Sequence, residues 1–590
     1  MSLDERTCYC GEVRPAQAGR EVTLKGWVRR RRDLGSLVFV DLRDRAGIVQ
    51  LVFSEDRGET TYLAAKELRP EFVIAVRGVV KPRGEKDHNH HMATGGIEVD
   101  VLELEVLAEA ETPPFPVEDD ALVSEEMRLK YRYLDLRRPF QNARIAARHR
   151  LTQRVRRHLT DEGFFEIETP FLTKSTPEGA RDFLVPSRLR PGSFYALPQS
   201  PQLFKQLCMV AGFDRYFQVV RCFRDEDLRA DRQLEFTQVD IEMSFPTEES
   251  VMGVAERLVL NLFEEAEIIP PATVGRLTWA EAMERYGCDK PDTRFGLTLK
   301  TVSDIAATTS FGVFRTVLEE GGTVRGLCVP GRASLSRKEL DGLNEVVKPF
   351  GGKGVVAVVR KDGALHSAAL KHIGEGPAAA LLQAVGAGDG DLGLFVAAPY
   401  DTACACLSAL RLHFRDALGL VKPGQHSLLW VHRFPMFEYS PEDGRWVARH
   451  HPFTMPRPDD LKRLESDPGK VEALAYDLVM DGNEIGGGSI RIHRGDIQRR
   501  VFKVLGFTEE QAQEKFGFLL DAFRYGTPPH GGIALGLDRV AMLLLGCDSI
   551  RDVIAFPQTT SGLCLMTGSP GAVEAKQLDE LSIAVRPKAE

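Results

Sequence analysis

The sequence predicts a multidomain α+β protein, and three observations carry that prediction. The chain has 590 residues, room for about three or four domains whose cores need neither disulfide nor metal to fold. Its first hundred residues alternate polar and apolar positions like a small β-barrel, whereas later segments mix glycine-punctuated strands with helices. The composition, 43% hydrophobic and 27% charged, is that of a globular protein and excludes a disordered or fibrous chain. Lys and Arg number 76 against 85 Asp and Glu, a net charge of −9, which argues against wrapping nucleic acid over the whole surface but leaves local basic patches open. The N-terminal MSLDERTCYCGEV lacks the apolar core of a signal peptide, and VAMLLLGC near the end is too short to span a bilayer. A cytoplasmic location without membrane attachment is therefore expected. The 10 cysteines include two C-x-C pairs, Cys8/Cys10 and Cys404/Cys406, and no C-x-x-C. They read as reduced thiols; a zinc site helped by His88, His90 and His91 is the weaker alternative.

The barrel comes first. In GWVRRRRDLGSLVFVDLRDRAGIVQLVF, Val38 and Val40 fall on one face and Phe39 and Asp41 on the other, with a turn at residues 44–47. Two further β-rich runs, 72–80 and 96–107, bring the strand number to that of an OB-fold. Residues 111–120, ETPPFPVEDD, read as a linker. A basic helix is expected over 142–160, then strands and one helix over 164–245, then a helical stretch over 249–286. Residues 296–419, rich in Gly, Ala and Val, read as an inserted α/β domain. The strand-like pattern returns after Leu428 and runs to 545, and a peripheral tail starts at Thr559.

Four segments carry chemistry. RYFQVVRCFRDEDLRADRQLEFTQVDIEMSF, residues 215–245, reads as a long hairpin. In its second strand Phe236, Gln238, Asp240 and Glu242 share a face opposite Thr237, Val239, Ile241 and Met243. With Arg224, Arg229 and Arg232 in the loop beside Asp225, Glu226 and Asp231, the polar face is either a floor for a small anionic ligand or a solvated surface whose charges cancel. In LPQSPQLFKQLCMV, Ser200 and Pro201 are placed as N-cap and first helical residue, so that Gln202 and Lys205 share a helix face. In AYDLVMDGNEIGGGSIRIH, Asp481-Gly482 is a strong hairpin signal. A regular register would pair Val479 with Glu484 and Leu478 with Ile485, leaving Asp477 one diagonal step from Glu484, about 7–8 Å away. Two carboxylates that close suit a shared Mg²⁺, Gly486 to Gly488 leave room for a planar ligand against backbone, and Arg491 follows. Last, PPHGGIALGLDRVAML runs from a glycine-rich strand into a helix with Arg539 in its first turn, which suits a terminal phosphate. No Walker loop, HIGH or KMSKS tetrapeptide occurs.

Together these segments resemble the three signature motifs of class II aminoacyl-tRNA synthetases: GFFEIETPFL ending near Pro170, the hairpin with FRDE at Phe223 to Glu226, and GLDR at Gly536 to Arg539. RLKYRYLDLRR, STPEGARDF, QSPQLFKQ, FRDEDLRADRQ, HHPFT and GGGSIRIH further resemble, in order, blocks of the bacterial aspartyl branch of class IIb. The resemblance implies an OB-fold anticodon-binding domain over 1–110, a linker or hinge over 111–138, a class II antiparallel-sheet catalytic domain over 139–287 and 421–558, a GAD insertion over 288–420 and a C-terminal extension over 559–590. It implies a homodimeric, cytoplasmic ligase that activates L-aspartate with ATP and Mg²⁺ and charges tRNA-Asp. Leu34, where members that also charge tRNA-Asn carry histidine, leans towards tRNA-Asp alone.

The residue roles implied are these. Lys205 and Arg491 would grip the aspartate side chain, and Ser200, Gln202 and Asp240 its amino group, with Glu178 and His450 closing over it. Arg224 would bridge the amino-acid carboxylate and the α-phosphate. Asp225, Glu226, Gln233 and Phe236 would contact ATP, as would Gly536, Leu537, Asp538 and Arg539, while Asp477 and Glu484 would hold Mg²⁺. Arg32, Phe39 and Gln50 would meet the anticodon. The competing readings are an asparagine or lysine enzyme of the same class, a non-catalytic RNA-binding relative and a metal-dependent nucleotide hydrolase. Lysine would be repelled by Lys205 and Arg491, and a non-catalytic relative should have lost Arg224, Glu484 or Arg539.

Overall fold

The computed structural model describes residues 3–176 and 180–586, which form two compact units. The first comprises residues 1–148 and 551–571. Its five strands, Glu21–Asp33, Leu37–Asp44, Gly47–Ser54, Val73–Pro82 and Ile97–Ala108, close into a barrel in the order first, second, third, fifth, fourth. The alternation read from the sequence explains its core. Val38, Val40, Leu42, Val49 and Leu51 are fully buried, and each buried aliphatic side chain contributes about 1.5–3 kcal/mol. Phe39 and Asp41 face outward, half-buried. After the barrel, the fully buried Asp135 accepts from Arg128 at 3.0 Å and Arg138 at 3.3 Å and pairs with Arg132.

The second unit is built on an eight-stranded sheet. Its strands run Val274–Thr278, Leu428–His432, Ala475–Met480, Asn483–Ile490, His530–Gly536, Glu235–Ser244, Arg215–Phe223 and Phe165–Glu166. The two edge pairings are parallel and all others antiparallel. Helix Glu248–Glu265 begins at Thr247, whose hydroxyl accepts from the Ser250 amide in a capping box, and it buries Val251, Val254, Ala255, Leu258 and Leu262.

Several expectations need correction. The helical stretch read over 249–286 is two helices, Glu248–Glu265 and Trp279–Tyr286, around the edge strand Val274–Thr278. That strand pairs only with residues about 150 positions later, so its short VGRLT carries no local signature. The basic helix starts earlier, at Pro139, and ends at Asp161. The helix read from Ser200 starts at Gln202; Pro201, not Ser200, takes the N-cap position, and no side chain caps it.

Inserted in the chain between the paired strands Val274–Thr278 and Leu428–His432 is a five-stranded antiparallel sheet of Lys300–Thr301, Thr323–Val329, Val356–Lys361, Ala364–His366 and Leu392–Ala398. Leu394 and Val396 join one apolar core with helices Arg337–Val347 and Tyr400–Ala417, while Phe395 points into a second core on the opposite face. No disulfide joins any of the ten cysteines. No helix among the described residues is long and apolar enough to cross a membrane.

Candidate active site

The register of the large sheet aligns the candidate residues. Asp240 lies opposite Ala534, Ala534 opposite Gly487, and Gly487 opposite Asp477, so one row crosses four strands. The next row is Glu242, Gly532 and Ser489. Small residues hold the middle of both rows for a steric reason. A Cβ on Gly532 would lie 2.2 Å from Glu242 Oε2, and one on Gly487 would lie 2.7 Å from Asp477 Oδ1 and 3.7 Å from Glu484 Oε1. Above this floor opens a cavity of about 630 Å³.

At one end of the cavity sits a buried four-charge cluster. Lys205 Nζ donates to Asp240 Oδ1 at 2.7 Å and lies 3.3 Å from Glu242 Oε2. Arg491 forks onto Glu242, Nε at 3.0 Å and Nη2 at 3.1 Å, and its Nη1 donates to Ser489 Oγ at 2.6 Å and His451 Nε2 at 2.7 Å. All four charged residues are at most 2% exposed. Burial pushes Glu242 up, but Arg491 and Lys205 outweigh it and hold the carboxyl below its usual range. Asp240 moves up, because burial outweighs its single ion pair with a lysine it shares. Its Oδ2 has no hydrogen-bond partner among the described residues, and neither have Gln202 Nε2 and His450 Nε2 beside it. Burial also holds His451 well below its ordinary range and His450 down to about 4.

The other end is built from the hairpin loop, the glycine-rich strands and the last helix. The guanidinium of Arg224 stands 5.1 Å over the Phe236 ring, and its Nε is a further buried donor with no partner among the described residues. Glu226 pairs with Arg232 at 3.4 Å, and Gln233 is nearly buried in the wall. Asp538 Oδ2 accepts from the Thr237 amide at 2.7 Å, tying the start of helix Leu537–Leu544 to the hairpin strand. Arg539 pairs with Asp231 at 3.0 Å and donates to the Glu484 carbonyl. Burial first, then the charges of Glu484 and Asp289, push the Asp477 carboxyl well above its ordinary range. Two crowded carboxylates of this kind fit a bound divalent cation.

The hairpin register differs from the regular one expected. Met480 pairs with Asn483 and Val479 with Glu484, but a bulge then pairs Leu478 with Gly486 and Asp477 with Gly487. Both carboxylates nevertheless meet above Gly487. Ser200, Gly536 and every other predicted amino-acid or nucleotide residue named above line the cavity, with three exceptions. Asp225 instead lies 3.6 Å from Arg181, Leu537 is buried at the helix start, and Glu178 lies outside the described residues. Sequence reasoning missed Glu242 and His451 as site residues, and also Asp289 and Arg449, which share the wall and pair at 3.4 Å. Glu242 belongs to the same strand face as Asp240, and that face was the available signal.

On the barrel, strand pairing sets Arg32 opposite Phe39 and Asp41 opposite Gln50. Arg32 donates to Gln50 Oε1 at 2.8 Å and its guanidinium lies 5.7 Å from the Phe39 ring centroid. The three predicted residues thus form one cluster, whereas neighbouring Arg29 is engaged by Glu118 at 2.8 Å.

Residues 124–560 match the family described as tRNA synthetases class II (D, K and N), and residues 22–108 match an OB-fold nucleic acid binding domain. A class II synthetase is thus the class of protein to which the mostly antiparallel sheet and its cavity belong. An aspartate–tRNA(Asp/Asn) ligase of Caldanaerobacter subterraneus is 52% identical over 98% of this chain and 98% of its own. An aspartate–tRNA ligase of Geobacillus kaustophilus is 52% identical over 98% of this chain and 99% of its own. The fold is shared with asparaginyl-tRNA synthetase from Pyrococcus horikoshii complexed with asparaginyl-adenylate, at a TM-score of 0.58 and 22% identity over 94% of this chain and 98% of that one. The chain belongs to the bacterial aspartyl-tRNA synthetase type of the class II family.

Proposed function

We propose that this chain is an aspartate–tRNA ligase, which activates L-aspartate with ATP to aspartyl-adenylate and transfers it to the terminal 3′-hydroxyl of tRNA-Asp. The observation that carries the reading is the convergence of unpartnered buried atoms, Arg224 Nε, Gln202 Nε2, Asp240 Oδ2 and His450 Nε2, on one cavity whose end wall holds Lys205 and Arg491. An α-ammonium completes Asp240, and a side-chain carboxylate meets the two cations. With the α-ammonium bound, the cluster holds three cations against Asp240 and Glu242, so a side-chain carboxylate balances it, whereas neutral asparagine would leave it one charge short and lysine would add a fourth cation.

Arg224, stacked on the Phe236 side of the cavity, would bridge the amino-acid carboxylate and the α-phosphate, where charge builds during in-line attack. Phe236 offers a face for adenine, with Glu226 and Gln233 at its edge and Gly536, Asp538 and Arg539 at the helix start beyond. The carboxylates of Asp477 and Glu484 would hold Mg²⁺, which neutralises phosphate charge when bound. Neither step needs a protein nucleophile; positioning and charge neutralisation account for the rate. The barrel cluster of Arg32, Phe39 and Gln50 would stack and read an anticodon base. The reading includes a homodimer in the cytoplasm, tRNA-Asp as the main substrate, and domain limits as laid out from the sequence.

Amino-acid-dependent ATP–pyrophosphate exchange, followed by charging of purified tRNA-Asp and tRNA-Asn, tests the proposal. Exchange with aspartate alone and charging of tRNA-Asp are expected. Exchange driven equally by asparagine or lysine would refute it.

A further inference from the structure

The insertion is riveted to the large sheet through residues that no role above uses. Arg411, on helix Tyr400–Ala417 and 1% exposed, donates to the backbone carbonyls of Asp292, Phe295, Gly296 and Leu297 at 2.7 to 3.1 Å. Arg415 of the same helix donates to Asp292 Oδ2 at 3.2 Å. Arg294 then forks onto Asp292, Nε at 2.9 Å and Nη2 at 2.7 Å, and its Nη1 lies 3.5 Å from Asp481 Oδ2. From the other root, His426 Nδ1 lies 2.7 Å from Asp481 Oδ2, the Ser427 amide donates to Asp481 Oδ1 at 2.8 Å, and the Gln425 side chain donates to the Arg294 carbonyl at 2.9 Å.

Asp481 and Gly482 are the turn of the hairpin whose strands carry Asp477 and Glu484. Both have left-handed backbone, φ 53° and 80°, the conformation a two-residue Asp-Gly hairpin turn requires and this dipeptide readily adopts. A Cβ on Gly482 would lie 2.9 Å from Asp292 Cβ, so the insertion root packs directly on the turn. Just beyond it the strand bulges between Leu478 and Val479. The turn therefore sets where the bulge falls, and a one-residue slip would exchange Glu484 and Ile485 across the sheet.

We infer that Asp292, Arg294 and His426 are positioning residues for the nucleotide end of the cavity: by clamping the Asp481-Gly482 turn, the two roots of the insertion hold Asp477 and Glu484 in register. The inference rests on the reading above that this end takes ATP with Mg²⁺. Asp481→Asn, which removes the clamp's charge while keeping its shape, should raise the KM for ATP roughly tenfold, the cost of a buried charged hydrogen bond. The Mg²⁺ concentration for half-maximal exchange should rise with it, while the KM for aspartate stays within about twofold. Arg294→Ala should behave alike and Arg294→Lys should recover part of the loss. Calorimetric titration with ATP and Mg²⁺ in the absence of amino acid reads the same weakening. A wild-type chain without aspartate-dependent exchange would thus refute the proposed function while the clamp is still judged by nucleotide binding. If Asp481→Asn does not fold, as judged by circular dichroism, the Arg294 pair carries the test. Folded variants with unchanged ATP binding, or with equal rises in the KM for ATP and for aspartate, would overturn the inference.

Discussion

The two ends of the cavity solve the electrostatics of ligand binding in opposite ways. At the proposed amino-acid end Lys205 and Arg491 are already neutralised by Asp240 and Glu242, buried and fixed by a bidentate fork. At the nucleotide end Asp477 and Glu484 crowd each other above Gly487 and Arg224 keeps a bare Nε. A pre-neutralised cluster can be rigid without ligand, which suits discrimination between similar side chains. An uncompensated set is completed only by the ligand's own charges, which suits stabilisation of charge that develops during reaction. On the proposed reading, specificity and catalysis would then be divided between the Asp240 and Asp477 ends of one row of the β-sheet.

The largest expected effect lies at the uncompensated end. Arg224→Ala should lower aspartate-dependent pyrophosphate exchange by at least about a hundredfold, and near-normal exchange in a folded variant would erase the contrast. Next, Glu242→Gln should destabilise the fold by about 3 kcal/mol, because Arg491 and Lys205 would lose a buried counter-charge; chemical denaturation measures it. By contrast Glu484→Gln should leave stability unchanged or slightly raised while abolishing Mg²⁺-dependent exchange, since it relieves repulsion. A stability loss as large as that of Glu242→Gln would show the two ends to be alike.

A smaller effect concerns pH. Burial holds His450 down to about 4 against an ordinary 6.5. The unfolded chain therefore binds the proton first, and stability falls as pH drops from 6.5 towards 4. His450→Gln should flatten that slope by up to about 1 kcal/mol per pH unit. Phe39→Ala, in the barrel, should weaken tRNA charging by about 1–3 kcal/mol and leave aspartate activation intact; equal loss of both would contradict the anticodon reading.

Much of this was legible where information is local. Alternation placed Val38 and Val40 inside the barrel and Phe39 outside, and Asp481-Gly482 marked its hairpin turn. The bulge between Leu478 and Val479 was not, because a regular two-residue hairpin register does not contain it and its place depends on contacts to the turn made by distant residues. Glu242 was seen as one of a polar face, but its fork with Arg491 spans 249 positions. Arg411 and the Arg294–Asp481 contact were not legible, because the partners of Arg411 are backbone carbonyls more than a hundred positions away and Asp481 meets Arg294 only through tertiary folding.

The most direct test of the central claim is a structure of the protein with a non-hydrolysable aspartyl-adenylate analogue. Lys205 Nζ and the Arg491 guanidinium should both lie within hydrogen-bonding distance of the ligand's side-chain carboxylate, with the Lys205–Asp240 and Arg491–Glu242 pairs retained. A ligand whose side chain points away from both cations would contradict the account.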